Sequence, residues 1–138
     1  FSGILDIPIA EGMIEGRRRM ALRPNVKGFK NPRGASKLAI TKYKVLSSVN
    51  SSSLIEVVPV TGVKHQIRVH LGFGLATPVL GDHKYSHLKK IAPQRLGGDI
   101  LEHLQMPQSR VRKLPMFLHA KSIFIPEVFL TSISRMLI

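Results

Sequence analysis

Between Lys37 and Leu75 the spacing of apolar residues changes once, from every second residue to every fourth. That change restricts the stretch to a β-hairpin followed by a helix. From Lys37 to Leu46 the side chains alternate, with Leu38, Ile40, Lys42 and Lys44 on one face and Ala39, Thr41, Tyr43 and Val45 on the other. Leu54 to Val60 is apolar and β-branched, which predicts a strand buried on both faces. The connector Ser47-Ser48-Val49-Asn50-Ser51-Ser52-Ser53 is turn-rich, so the two strands read as a hairpin. Thr61-Gly62 ends the strand pattern. Ile67, Leu71 and Leu75 then recur at intervals of four, with Val63 one turn earlier, predicting a helix from about Val63 to Leu75 capped by Thr61.

The flanks are plainer. Residues 1–10 alternate with a proline at position 8, the pattern of an edge strand. Residues 11–37 hold Arg17, Arg18, Arg19, Arg23, Lys27, Lys30, Arg33 and Lys37 among glycines and prolines, and read as an exposed basic loop. Thr77-Pro78 stops the helix, and Gly81-Asp82 signals a turn. Beyond it the chain is polar and basic, with a short helix predicted near Asp99 to Gln105. A strand is predicted from Met116 to Pro126, and a closing helix or strand from Phe129 to Ile138.

Charge narrows the partners. The 138 residues carry 21 Lys and Arg against 8 Asp and Glu, a formal charge of +13. Such an excess points to a polyanion, with nucleic acid ahead of an acidic membrane surface. The absence of cysteine excludes a disulfide scaffold, a thiolate zinc site and a thiol nucleophile. No apolar run approaches the roughly 18 residues that a membrane helix needs. The chain opens Phe1-Ser2-Gly3-Ile4-Leu5-Asp6, with no initiating Met and no signal pattern, and reads as the middle of a longer protein.

The chemistry concentrates in Thr61-Gly62-Val63-Lys64-His65-Gln66-Ile67-Arg68-Val69-His70-Leu71. Lys64 and Arg68 place two cations near a helix N-terminus, against the macrodipole, and four residues apart, where like charges repel. Local conflict of this kind is tolerated where an anion lies against that face: an RNA phosphate, a buried carboxylate, or one of each. The bland alternatives are a solvated basic face and, for His70, a hydrogen-bonded core histidine. His65 and His70 are five residues apart with no neighbouring carboxylate, so no zinc site is expected.

This segment, followed by Pro78-Val79-Leu80-Gly81-Asp82-His83-Lys84-Tyr85, resembles the RluA-type pseudouridine synthases. Their pattern is Thr-Gly-Arg-x-His-Gln-Ile-Arg-x-His-Leu, a short spacer, then Pro-Ile-x-Gly-Asp-x-x-Tyr. Ser2 to Ile9, Thr41 to Leu46 and Leu118-His119-Ala120 match the same family, and Gly81 to Ser86 is most similar to a mitochondrial branch of it. The resemblance implies a cofactor-free isomerisation of uridine in RNA, started by an Asp nucleophile from a motif upstream of this region. Arg68 matches the arginine that pairs with that Asp. Lys64 stands next to the position of the family's usual arginine and is expected on phosphate, with His65, Gln66, Arg17, Arg18, Arg19 and Lys84 as further RNA contacts. Thr61, Gly62, His70, Gly81, Asp82, Tyr85 and His119 are expected to be structural, Gly81-Asp82 forming a turn that fixes Tyr85.

The expected fold is α+β, a mixed, largely antiparallel sheet with flanking helices, residues 1–138 being the C-terminal portion of one incomplete catalytic domain. The expected function is pseudouridine formation in mitochondrial ribosomal RNA, with transfer RNA as runner-up, in the mitochondrial matrix. Ribosomal or transfer RNA and mitochondrial ribosome-assembly intermediates are the partners; no cofactor, metal or membrane is called for. The rival from another class is a non-catalytic RNA-binding or ribosome-assembly factor of the same fold. Aromatics are only 6% with no Trp, which argues against a platform stacking several bases. The run Arg110, Arg112, Lys113 fits either RNA contact or solvated surface.

Overall fold

The computed structural model describes residues 2–23, 36–124 and 133–137. Among the described residues, seven strands form two antiparallel sheets. The larger is built from β1 (Ser2–Asp6), β4 (Ile40–Val49), β5 (Ser52–Pro59), β6 (His119–Phe124) and β7 (Ile133–Leu137), in the order β1-β4-β5-β7-β6. The smaller is a hairpin of β2 (Ile9–Ile14) and β3 (Arg17–Leu22). Helices are short: α1 (Gln66–Val69), running into a π-helical turn at His70–Gly74, α2 (Gly98–His103), and a 3₁₀ turn at Gln108–Lys113. The class is α+β, and every strand pair among the described residues is antiparallel.

The β4–β5 hairpin follows the alternation. Ala39 and Thr41 are fully buried, Tyr43 and Val45 half-buried, and Lys42 and Lys44 exposed. The strands run further into the serine run than expected: Val49 pairs with Ser52, leaving only Asn50 and Ser51 as the turn. Asn50 takes φ 52°, a left-handed conformation its short polar side chain tolerates. β5 is not buried on both faces. Ile55 and Val57 are buried, but Leu54 and Val60 are exposed, because an antiparallel sheet needs cover on one side only.

Residues 11–22 are not a loop. Ile14 pairs with Arg17 across a two-residue turn, Glu15-Gly16, with φ values of 48° and 73°. Positive φ at both positions matches the right-handed twist of the flanking strands. Ile9, Ala10 and Met20 are buried by the hairpin, while Arg17 and Arg18 are exposed. The remaining expected loop, residues 24–35, lies outside the described residues, as do 125–132 within the two closing segments.

The helix after β5 starts later than expected and is not capped by Thr61. His65 precedes α1 at φ 55°, so helical geometry cannot begin at Val63. Ile67 and Leu71 nevertheless pack with Ile55, Val57 and Val79, joined by Leu75, as the spacing of four requires. Val63 packs instead with Ile9, Met20, Ala39, Val69 and Tyr85. At Gly72 a Cβ would stand 2.5 Å from the Tyr85 carbonyl oxygen, so glycine lets the π-helical turn lie against the Tyr85 backbone. Gly81 has φ 82°, and any Cβ there would strike the Pro115 carbonyl. Gly81→Ala should therefore cost at least about 2 kcal/mol, read as a lowered melting temperature by circular dichroism.

Candidate functional site

Arg68, on α1, and Asp82, in the turn after Gly81, form a bidentate pair. Nε donates to Oδ2 and Nη2 to Oδ1, each at 2.8 Å. The Asp82 side chain is fully buried, whereas that of Arg68 keeps 19% of its surface. Asp82 Oδ1 also accepts the backbone N–H groups of Lys84 and Tyr85 at 3.1 and 3.2 Å. One buried carboxylate thus closes the turn and orients the guanidinium. These bonds hold the Arg68 pKa above its ordinary value, the Asp82 hydrogen bond being the main cause. Nη1 has no hydrogen-bond partner among the described residues.

Tyr85 completes the support. Its ring lies under the guanidinium, with Arg68 Cζ 4.8 Å from the centroid. Its hydroxyl sits 2.7 Å from His65 Nδ1 and accepts the Met20 N–H at 3.2 Å. The His65–Tyr85 hydrogen bond holds the imidazole edge-on to the tyrosine ring, with centroids 5.5 Å apart. Burial, then Arg68, Lys84 and Lys64, push the His65 pKa down, so it is neutral at pH 7. Lys64 is exposed beside it and Lys84 half-exposed. The arrangement is a cationic surface of fixed geometry around a rigid arginine, suited to anionic groups.

A polar network underlies it. Gln66 is buried, and its amide is saturated. Oε1 accepts from the Thr61 hydroxyl and the Val63 N–H, and Nε2 donates to the Ile40 carbonyl and Thr41 Oγ1. Thr61 Oγ1 accepts the Ile40 N–H. His70 continues the chain, with Nδ1 2.8 Å from Thr41 Oγ1 and Nε2 2.9 Å from the Ile7 carbonyl. The carbonyl requires Nε2–H; burial lowers the His70 pKa and outweighs the Ile7 hydrogen bond, which raises it. The unfolded chain then binds the additional proton, and this stability is lost as pH falls below about 6.5. The melting temperature of the intact protein should drop more between pH 7.5 and 5.5 than that of His70→Gln.

Two expected RNA contacts are turned inward. Gln66 is the strut just described. Arg19 is 6% exposed, and its Nη1 lies 3.2, 2.7 and 3.4 Å from the carbonyls of Lys84, His87 and Lys90, while Nη2 donates to that of Leu88. Its guanidinium lies over Phe73, 4.8 Å from the ring centroid. Burial along β3 does not alternate, since Arg19 and Met20 are both buried; the converging carbonyls and the ring of Phe73 take the arginine into the core. Arg17 and Arg18 stay outside, Arg18 in a 3.6 Å ion pair with Glu11 too exposed to add much stability. Gly62 is exposed in the bend before α1, and His119 is exposed at the start of β6. Among the described residues no His, Asp and Glu cluster could hold a metal, and no helix is long and apolar enough to cross a membrane.

The site combines a buried carboxylate, a clamped arginine and a histidine–tyrosine brace on an antiparallel sheet. The chain belongs to the RNA pseudouridylate synthase family, whose sequence profile matches residues 3–72. It is 46% identical over 136 residues to the mitochondrial pseudouridylate synthase RPUSD4 of Rattus norvegicus, a match covering 92% of this chain and 36% of that one. The solved structure of human RNA pseudouridylate synthase domain containing 4 superposes with a TM-score of 0.69 at 45% identity, covering 83% of this chain and 44% of that one. The ribosomal large subunit pseudouridine synthase C of Rickettsia prowazekii is 44% identical over 92 residues, 66% of this chain and 24% of its own. The chain thus spans about a third of the length of the first of these relatives.

Proposed function

We propose that this chain, residues 1–138, carries the arginine-bearing part of the active site of an RNA pseudouridine synthase. The observation that carries the reading is Arg68. Its Nε–Nη2 edge is fixed by a buried carboxylate within the chain, while Nη1 is left for a second anion. The family pattern supplies that anion as an Asp nucleophile from outside this sequence, and a guanidinium beside it keeps it ionised at neutral pH. Asp82 is not available for the role, since it is buried and bonded to Arg68, Lys84 and Tyr85.

The reaction is an isomerisation that consumes no cofactor. The bond from ribose C1′ to uracil N1 breaks, the base turns, and a bond from C1′ to C5 forms. The proton on C5 is lost and N1 gains one, so atoms balance. Lys64, Lys84, Arg17 and Arg18 neutralise phosphates, and His65 hydrogen-bonds the RNA. A half-exposed site of this kind reaches a uridine only after it is flipped from its stack.

The RNA is mitochondrial ribosomal RNA, with transfer RNA second and ribosome-assembly intermediates as the setting, in the mitochondrial matrix. The names of the rat and Rickettsia relatives support the compartment and the ribosomal substrate. The test is tritium release from C5 of uridine-labelled mitochondrial large ribosomal RNA by the intact protein. Product at a defined uridine upholds the reading; tight RNA binding with no release overturns it in favour of a non-catalytic RNA-binding factor.

A further inference from the structure

Residues 84–91 have no regular secondary structure, yet they are held firmly. Arg19 gathers the carbonyls of Lys84, His87, Leu88 and Lys90 around one buried guanidinium. His87 Nε2 is 2.9 Å from the Pro93 carbonyl, and the Ile91 N–H donates to Glu15 Oε2 at 3.2 Å, tying the segment to the β2–β3 turn. With these carbonyls turned inward, the side chains at the tip, residues 88–90, face outward, while Tyr85 stays buried. Leu88 is accordingly 65% exposed, with Lys89 and Lys90 exposed beside it. Leu88 is three residues from Tyr85, at most about 11 Å along the chain, so the tip borders the Arg68 site.

Burying a guanidinium against carbonyls and ring faces is costly, and desolvation lowers its pKa. Solubility does not call for such an anchor, since free lysines would serve as well. What the anchor provides is a preformed apolar tip flanked by two cations, at the rim of a cationic site. That combination complements an unstacked base between phosphates. We infer that the His87–Lys90 tip is an RNA-contacting element in which Leu88 packs on an unpaired base next to the target uridine and Lys89 and Lys90 take the flanking phosphates. The inference rests on RNA being the substrate class, as proposed above.

The test measures affinity of the intact protein for a fluorescently labelled mitochondrial large ribosomal RNA transcript across a salt series. Leu88→Ala should weaken binding about tenfold at fixed salt and leave the salt dependence unchanged. The Lys89→Gln, Lys90→Gln double variant should lower the slope of log affinity against log salt by about 1.5. A lower melting temperature for Leu88→Ala with unchanged RNA affinity would show the tip covered by another part of the chain and overturn the inference. So would an unchanged slope in the lysine variant. The proposed function fails separately: if wild type releases no tritium while the tip variants lose RNA affinity, the tip assignment stands and the enzymatic reading falls.

Discussion

Arg68→Ala in the intact protein should reduce pseudouridine formation by about 10²- to 10³-fold, the usual cost of one preorganised charged donor, while RNA affinity changes little. The geometry gives the reason. Arg68 spends its Nε–Nη2 edge on Asp82 and stacks on Tyr85, so its position is set before RNA arrives. A phosphate-binding arginine has no need of that rigidity, and a residue that orients a nucleophile does. Arg68→Lys is the companion variant: it keeps a positive charge against Asp82, so the protein folds, but it cannot bond two carboxylates in one plane. Single-turnover rates and RNA affinities should part company in both. Equal losses in rate and affinity would move Arg68 to phosphate binding.

Asp82→Ala carries the second large effect, on stability. It removes the acceptor of four hydrogen bonds: two from Arg68 and one each from the N–H groups of Lys84 and Tyr85. Breaking a buried pair from one side typically costs 3–5 kcal/mol. Because Arg68 is partly exposed and can rehydrate, about 3 kcal/mol is expected, a fall in melting temperature on the order of 10 °C. Asp82→Asn retains an acceptor for the two backbone groups and should lose less. The Arg68→Ala, Asp82→Ala double variant should lose less than the sum of its singles, because each single strands the other's charge. Strict additivity would show that the pair adds nothing to the fold.

Much of this was legible in the residues. The alternation from Ala39 to Val45 placed the inward face of β4, and Ile67, Leu71 and Leu75 pack together as their spacing requires. Of the two cations read as opposing the helix N-terminus, Arg68 does meet a buried carboxylate, but it stands in the last turn of α1, and Lys64 lies before the helix, where the macrodipole argument does not apply. The β2–β3 hairpin was missed because three consecutive arginines outweighed a turn, Glu15-Gly16, that lacks the usual Asn or Asp. The late start of α1 was missed because nothing in the local pattern announces a left-handed histidine. His65 is held there by the Tyr85 hydroxyl, twenty residues away.

What the sequence alone determined is whatever depends on neighbours along the chain: the strand faces, the apolar stripe around Ile67 and Leu71, the excess of positive charge, and the motif that carries the family. What the tertiary structure decided is which charges face solvent and which face each other. Arg17, Arg18 and Arg19 are equivalent in one dimension, yet two reach water and the third is buried among the carbonyls of residues 84–90. Arg68 and Asp82 stand fourteen residues apart and become one unit only when α1 packs beside the Gly81 turn. The physical reason is the reach of the forces. Backbone periodicity is set within a few residues, whereas the desolvation and pairing of a charge depend on every atom the fold brings within a few ångströms of it.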